Sequence, residues 1–178
     1  MNNIVLCGFM GCGKSTVGKN IARKSGRKFL DMDAYIENKA QMTITEIFDK
    51  YGESGFRDME HNACLELAEL EGLVIASGGG AFTFKRNVEA FKGKDKIVFL
   101  DVPLGIIKSR LKNDTTRPLL QRPDRDKVMK ELYDNRYPIY HAAADIVVKG
   151  KNTPLKTAFA VIDAVEQTEN NQNSESKA

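Results

Sequence analysis

Short apolar runs alternate along this chain with longer stretches whose apolar residues recur every three or four positions. The runs are Ile4-Val5-Leu6-Cys7, Phe29-Leu30, Leu73-Val74-Ile75-Ala76, Ile97-Val98-Phe99-Leu100 and Ile146-Val147-Val148. Continuous apolar character over so few residues is what a parallel strand covered on both faces requires. Between the runs, Val17, Ile21 and Ala22 mark the apolar face of one helix, and the next helix carries Ala34, Tyr35, Ile36 and Ala40. Thr43-Ile44-Thr45-Glu46 is a capping box opening a helix that carries Ile47 and Phe48 and stops near Gly52. A longer helix is expected over 59–70, with Ala63, Leu67 and Leu70 inward, and another after Pro103, with Leu104, Ile107 and Leu111 inward. A basic helix is expected over 126–136. Thr153 as N-cap and Pro154 at the first helical position begin a last helix, with a stripe of Leu155, Ala158, Phe159, Ile162 and Val165.

Strands alternating with helices predict an α/β fold of three layers, α/β/α, around a central parallel sheet of about five strands. Residues 1–167 read as one domain. Residues 112–125 are polar, basic and carry Pro118 and Pro123, so they read as a mobile lid. The end, 168–178, is Asn, Gln, Ser and Glu with nothing to bury and reads as disordered.

Ligands of such sheets lie at the carboxyl ends of the strands, and the chain's chemistry is concentrated there. The first run leads into Gly8-Phe9-Met10-Gly11-Cys12-Gly13-Lys14-Ser15-Thr16, the G-x-x-x-x-G-K-[ST] loop between strand and helix that cradles phosphates. This loop implies a bound nucleoside triphosphate, with Lys14 on its phosphates and the Ser15 hydroxyl toward Mg²⁺. The second run ends in Asp31-Met32-Asp33, where strand alternation puts both carboxylates on one face. They serve a metal and an acceptor hydroxyl, or cap the following helix. The third ends in Ser77-Gly78-Gly79-Gly80, which either allows close backbone approach to a ligand or is a flexible turn. Asp101 closes the fourth in the manner of a second metal-binding carboxylate. Arg57 and Arg136, each beside aromatic residues, suit a carboxylate ligand or a surface ion pair.

Composition narrows this picture only slightly. The 178 residues are 42% hydrophobic and 29% charged with a net charge of +3, which is too weak an excess to argue for nucleic acid. No apolar stretch approaches a membrane span, and the start lacks the pattern of a secretory signal. The three cysteines lack metal-site spacing and read as reduced thiols of a cytoplasmic protein. No guanine-reading Asn-Lys-x-Asp segment is present, which argues against a GTPase.

Together the 8–16 loop, Asp31-Met-Asp33, Phe56-Arg57-Asp-Met-Glu60, Ser77-Gly-Gly-Gly80, Arg117-Pro-Leu-Leu120 and Arg136-Tyr-Pro-Ile-Tyr140 resemble the shikimate kinases over about residues 4–160. The resemblance implies a nucleoside-monophosphate-kinase-like P-loop fold and transfer of phosphate from ATP to the 3-hydroxyl of shikimate, in aromatic amino acid biosynthesis. It implies nucleotide contacts from Gly11, Cys12, Gly13, Lys14, Ser15, Thr16, Arg110 and Arg117, with adenine also near 149–153. It implies Mg²⁺ at Ser15 and Asp31, and acceptor contacts from Asp33, Arg57, Glu60, Gly79, Gly80 and Arg136. Lys14, Asp33 and Arg117 would be catalytic, with Asp33 the base and Arg117 arriving on the transferring phosphate from the lid. A monomer acting on small molecules is expected, with neither nucleic acid nor membrane as partner.

Cys12 stands where the family usually carries Ala or Ser. A thiol at a helix N-terminus is expected to be reactive, with ATP suppressing its alkylation, unless it is merely a small tolerated side chain. Two other readings stand beside the main one: a P-loop kinase for another hydroxy acid such as gluconate, and a non-catalytic nucleotide-dependent regulator.

Overall fold

The computed structural model describes residues 2–114 and 123–175. In chain order the elements are β1 (Ile4–Cys7), α1 (Lys14–Ser25), β2 (Lys28–Asp31), α2 (Met32–Ala40), α3 (Ile44–Ala68) and β3 (Leu73–Ala76). A 3₁₀ turn (Ala81–Thr83) follows, then α4 (Lys85–Phe91), β4 (Lys96–Asp101), α5 (Leu104–Leu111), α6 (Arg125–Ala143), β5 (Ile146–Lys149) and α7 (Pro154–Glu175). Among the described residues the strands form one five-stranded, all-parallel sheet in the order β2-β3-β1-β4-β5. Helices on both faces complete the three layers expected from the alternation.

Apart from Lys96 and Asp101 at the ends of β4, the central strands are apolar because water reaches neither face. Every residue of β1 and β3 is buried, as is all of β4 but its last residue, whereas the edge strands β2 and β5 tolerate Lys28 and Lys149. The register pairs Leu6 and Asp31 with Ala76, and Cys7 with Phe99. The loops leaving β1, β2 and β3 therefore open on one rim of the sheet, which is what builds the site.

Several elements differ from their expected bounds. The helix around Gly52 does not stop there: α3 runs on past a single non-helical residue, Gly52, at φ 67° and ψ −177°. Its capping box is present, with Glu46 N donating to Thr43 Oγ1 and Thr43 N donating to Glu46 Oε2. The short α4 was not anticipated. It offers only two turns, and its buried side chains include a polar one, Asn87, whose amide donates to Ala81 O at 2.9 Å.

Helix α6 continues through Pro138, beyond the expected end at 136. Loss of one amide and a ring clash cost about 3 kcal/mol. Aromatic packing on both sides offsets this, with Tyr133 edge-on to Phe9, and Tyr137 and Tyr140 against Phe99. Helix α7 buries Ala158, Val161 and Val165, while Leu155 and Phe159 of the expected stripe are exposed. The Phe159 ring instead receives the Lys24 ammonium at 5.6 Å. Helix α7 also runs past 167, to Glu175. Adding residues to an anchored helix avoids the nucleation cost, and Glu, Gln, Asn and Ser all tolerate helical geometry. No described helix is long and apolar enough to cross a membrane.

Candidate active site

The side expected to hold the phosphate donor is made from one continuous stretch. Gly13 caps α1 in the left-handed region at φ 102°, a conformation strained for any residue with a Cβ. No acidic side chain occupies the first turn of α1, so its unpaired amides remain available to an anion. Lys14 Nζ lies back over the loop, donating to Gly8 O at 2.8 Å and Phe9 O at 3.2 Å. From α5, Arg110 Nη1 donates to Cys12 O at 3.0 Å and Gly11 O at 3.3 Å. Two cations thus already flank the cradle.

Asp31 joins this side through tertiary contact. Ser15 Oγ donates to Asp31 Oδ2 at 2.7 Å, while Asp31 Oδ1 accepts from the amides of Asp33 and Ala34. Asp31 is therefore both the N-cap of α2 and the partner of Ser15. The expectation that strand alternation aligns the two aspartates is corrected: β2 ends at Asp31, and Asp33 sits in the first turn of α2. Helix geometry, not pleating, turns Asp33 toward the site, and a Cβ added to Gly78 would meet its Oδ1 at 2.6 Å. A cleft of about 180 Å³ joins Gly11, Lys14 and Ser15 to Asp31, Asp33, Ser77 and Gly79. A hollow of about 200 Å³ between α2 and α3, floored by Ile36, Met59 and Ala63, contains none of the expected site residues.

The side expected to take the acceptor is assembled from separate elements around the glycine corner. On α3, Arg57 Nη1 donates to Glu60 Oε2 at 3.0 Å and Nη2 to Glu53 Oε1 at 3.2 Å. Burial pushes the Glu60 carboxyl up, against the opposing pull of Arg57. A Cβ on Gly80 would lie 3.0 Å from Arg57 Nη1, so this position has no room for a side chain while the guanidinium keeps its place. From α6, Arg136 Nη1 donates to Gly79 O at 3.3 Å, and the Tyr140 hydroxyl donates to the same carbonyl. Burial pushes Tyr140 up to about 12, which keeps its phenol a standing donor.

The sequence matches the model of the family described as "SKI: Shikimate kinase" over residues 10–166. The shikimate kinase of Sulfurihydrogenibium sp. (strain YO3AOP1) is 40% identical over 167 residues, covering 94% of this chain and 99% of the relative. The chain belongs to the shikimate kinase family. The shikimate kinase of Acinetobacter baumannii, solved in complex with shikimate, superposes with a TM-score of 0.88 at 36% identity over 94% of each chain. A gluconokinase from Sinorhizobium meliloti 1021 aligns at 18% identity and a TM-score of 0.62, over 96% of this chain and 97% of its own. That likeness extends to the fold alone.

Members of this family are phosphotransferases with an alcohol group as acceptor, and the protein is such an enzyme. Of the residues expected from sequence, Gly11, Gly13, Lys14, Ser15, Asp31, Asp33 and Gly79 line one cleft. Arg57, Glu60, Gly80 and Arg136 meet at the adjoining corner, and Thr16 faces solvent on the first turn of α1. Arg117 lies outside the described residues. Asp101 is engaged elsewhere, its Oδ2 accepting from the Tyr137 hydroxyl at 3.3 Å. Of the two readings of Cys12, its burial in the core at 3% exposure favours the small tolerated side chain over a reactive, ATP-protected thiol. Met10, Ser77 and Tyr140 were not anticipated as site residues. All three sat inside motifs already noted, Tyr140 as an aromatic neighbour of Arg136.

Proposed function

We propose that this enzyme transfers the γ-phosphoryl group of ATP to the 3-hydroxyl of shikimate, giving shikimate 3-phosphate on the route to chorismate and the aromatic amino acids. The observation carrying this reading is the glycine corner. Asp33, Arg57 and Arg136 all abut Gly78-Gly79-Gly80, with the phosphate cradle in the same cleft. A hydroxylated ring bearing a carboxylate matches that set: the arginines take the carboxylate, the glycines leave room for the ring, and Asp33 receives the hydroxyl proton.

The loop amides and Lys14 hold the β- and γ-phosphates, and Lys14 exchanges its present carbonyl partners for phosphate oxygens. Arg110 adds positive charge behind the loop. Ser15 and Asp31 are hard oxygen donors already 2.7 Å apart, a set that fits Mg²⁺ with water completing its shell. When bound, Mg²⁺ neutralises charge on the triphosphate. Glu60 holds Arg57 in place. Arg117 belongs to this reading through the family resemblance and acts on the transferring phosphate, and 149–153 borders the adenine. The reading extends to a monomeric cytoplasmic enzyme with one catalytic domain over 1–167.

A coupled ADP-release assay with shikimate, gluconate or no acceptor tests it. Shikimate-dependent release is expected, with little from the other two. Equal turnover on gluconate would favour the second hydroxy acid, and ATP consumption indifferent to acceptor would count against both kinases.

A further inference from the structure

Arg57 is held at both its main chain and its guanidinium by a connector the sequence did not single out. Phe84 ends the 3₁₀ turn and caps α4: its amide donates to Ala81 O, and its carbonyl accepts from Asn87 N at 3.0 Å. This fixes the backbone from which its ring projects. The Arg57 Cζ lies 5.1 Å from the centroid of that ring and 5.2 Å from that of Phe56. Two residues on, Arg86 Nη2 donates to Arg57 O at 2.8 Å and to Asp58 Oδ1 at 2.9 Å.

Hydrogen bonds alone leave the plane of the Arg57 guanidinium underdetermined. Glu60, 1% exposed, fixes Nη1, but Glu53 on Nη2 has a side chain 69% exposed and is a weak tether. Among the described residues the buried Nε has no hydrogen-bond partner. A planar fork held firmly at one nitrogen can pivot there, and ring faces beside it oppose that pivot. Phe84 is itself 36% exposed, so core burial does not account for where its ring lies.

We infer that Phe84 is a positioning residue for acceptor recognition: with Phe56, its ring sets the plane of the Arg57 guanidinium so that the fork meets the carboxylate of a small hydroxy acid. The inference rests on the assignment of Arg57 to the acceptor carboxylate. Phe84 does not touch the reacting atoms. It acts on acceptor affinity through Arg57, and ATP binding in the loop around Gly13 is independent of it.

The test uses the full chain with Phe84→Ala, Phe84→Leu and Phe84→Tyr, measuring kcat, KM for shikimate, KM for ATP and thermal midpoint. Phe84→Ala and Phe84→Leu are expected to raise KM for shikimate about 3- to 10-fold, with kcat and KM for ATP within about two-fold of wild type. Phe84→Tyr, which keeps the ring face, should restore the wild-type value, whereas Leu keeps only bulk. An unchanged KM for shikimate in Phe84→Ala overturns the inference. So does rescue by Leu as complete as by Tyr, or a parallel rise in KM for ATP. Absence of shikimate turnover in the wild type would overturn the acceptor assignment together with the inference. Normal wild-type turnover with an indifferent Phe84→Ala would remove the inference alone.

Discussion

The proposed donor and acceptor halves of the site are built on different principles. The donor half is nine consecutive residues, 8–16, held by main-chain geometry: Gly13 in the left-handed region, an uncapped helix end and carbonyls answered by Lys14 and Arg110. The acceptor half draws single side chains from α2, α3 and α6 onto one glycine corner, with no two of Asp33, Arg57 and Arg136 near each other in sequence. A backbone cradle recognises any triphosphate, because peptide amides are alike. Side chains convening from three helices suit one acceptor shape. On the proposed assignment, the generality of the first and the selectivity of the second follow from that difference.

If the division holds, damage to the donor half should remove chemistry, and damage to the acceptor half should remove acceptor selectivity. Lys14→Met should have the largest effect, lowering kcat about 10³-fold or more, since no other described residue places an ammonium over the loop carbonyls. Single-turnover measurements at saturating ATP separate this from weaker nucleotide binding.

Gly78→Ala should come next, lowering kcat/KM for shikimate about 10- to 100-fold, because the new methyl displaces Asp33. Nucleotide affinity by equilibrium titration should be unchanged; a parallel loss there would erase the distinction between the halves. Asp31→Asn should raise the Mg²⁺ concentration for half-maximal rate about 10-fold, while Asp101→Asn, whose carboxylate faces Tyr137, changes it little. The opposite ranking would move the metal to Asp101.

The smallest effect is expected at the acceptor rim. Glu53→Gln should lower KM for shikimate about two-fold, since the exposed Glu53 carboxylate competes for Arg57 Nη2. A raised KM would make Glu53 a support for Arg57 instead.

The two halves were also unequally legible. The loop could be read whole because its function depends on consecutive residues and on a strand before and a helix after. The acceptor side was legible from its residues only as one of two readings, and resemblance chose between them: Arg57 and Arg136 also read as surface ion pairs, and Asp31 and Asp33 were aligned by a strand geometry that ends two residues too early for Asp33. Phe84 and Arg86 carried no sequence signal, because holding another side chain in place needs no motif, and Tyr140 was visible only as part of the motif around Arg136.

The sequence by itself determined the alternation of strand and helix, the parallel sheet, the capping box at Thr43 and the phosphate cradle. Each is a local consequence of periodicity or of main-chain chemistry at adjacent residues. Tertiary structure alone decided the kinked continuation of α3, the persistence of α6 through Pro138, the inward burial of Cys12 and the pairing of Ser15 with Asp31. It alone decided the meeting of Arg57 and Arg136 at Gly79 and Gly80 as well. Those outcomes depend on contacts between residues far apart in the chain, where packing energy overrides local preference and no spacing rule applies.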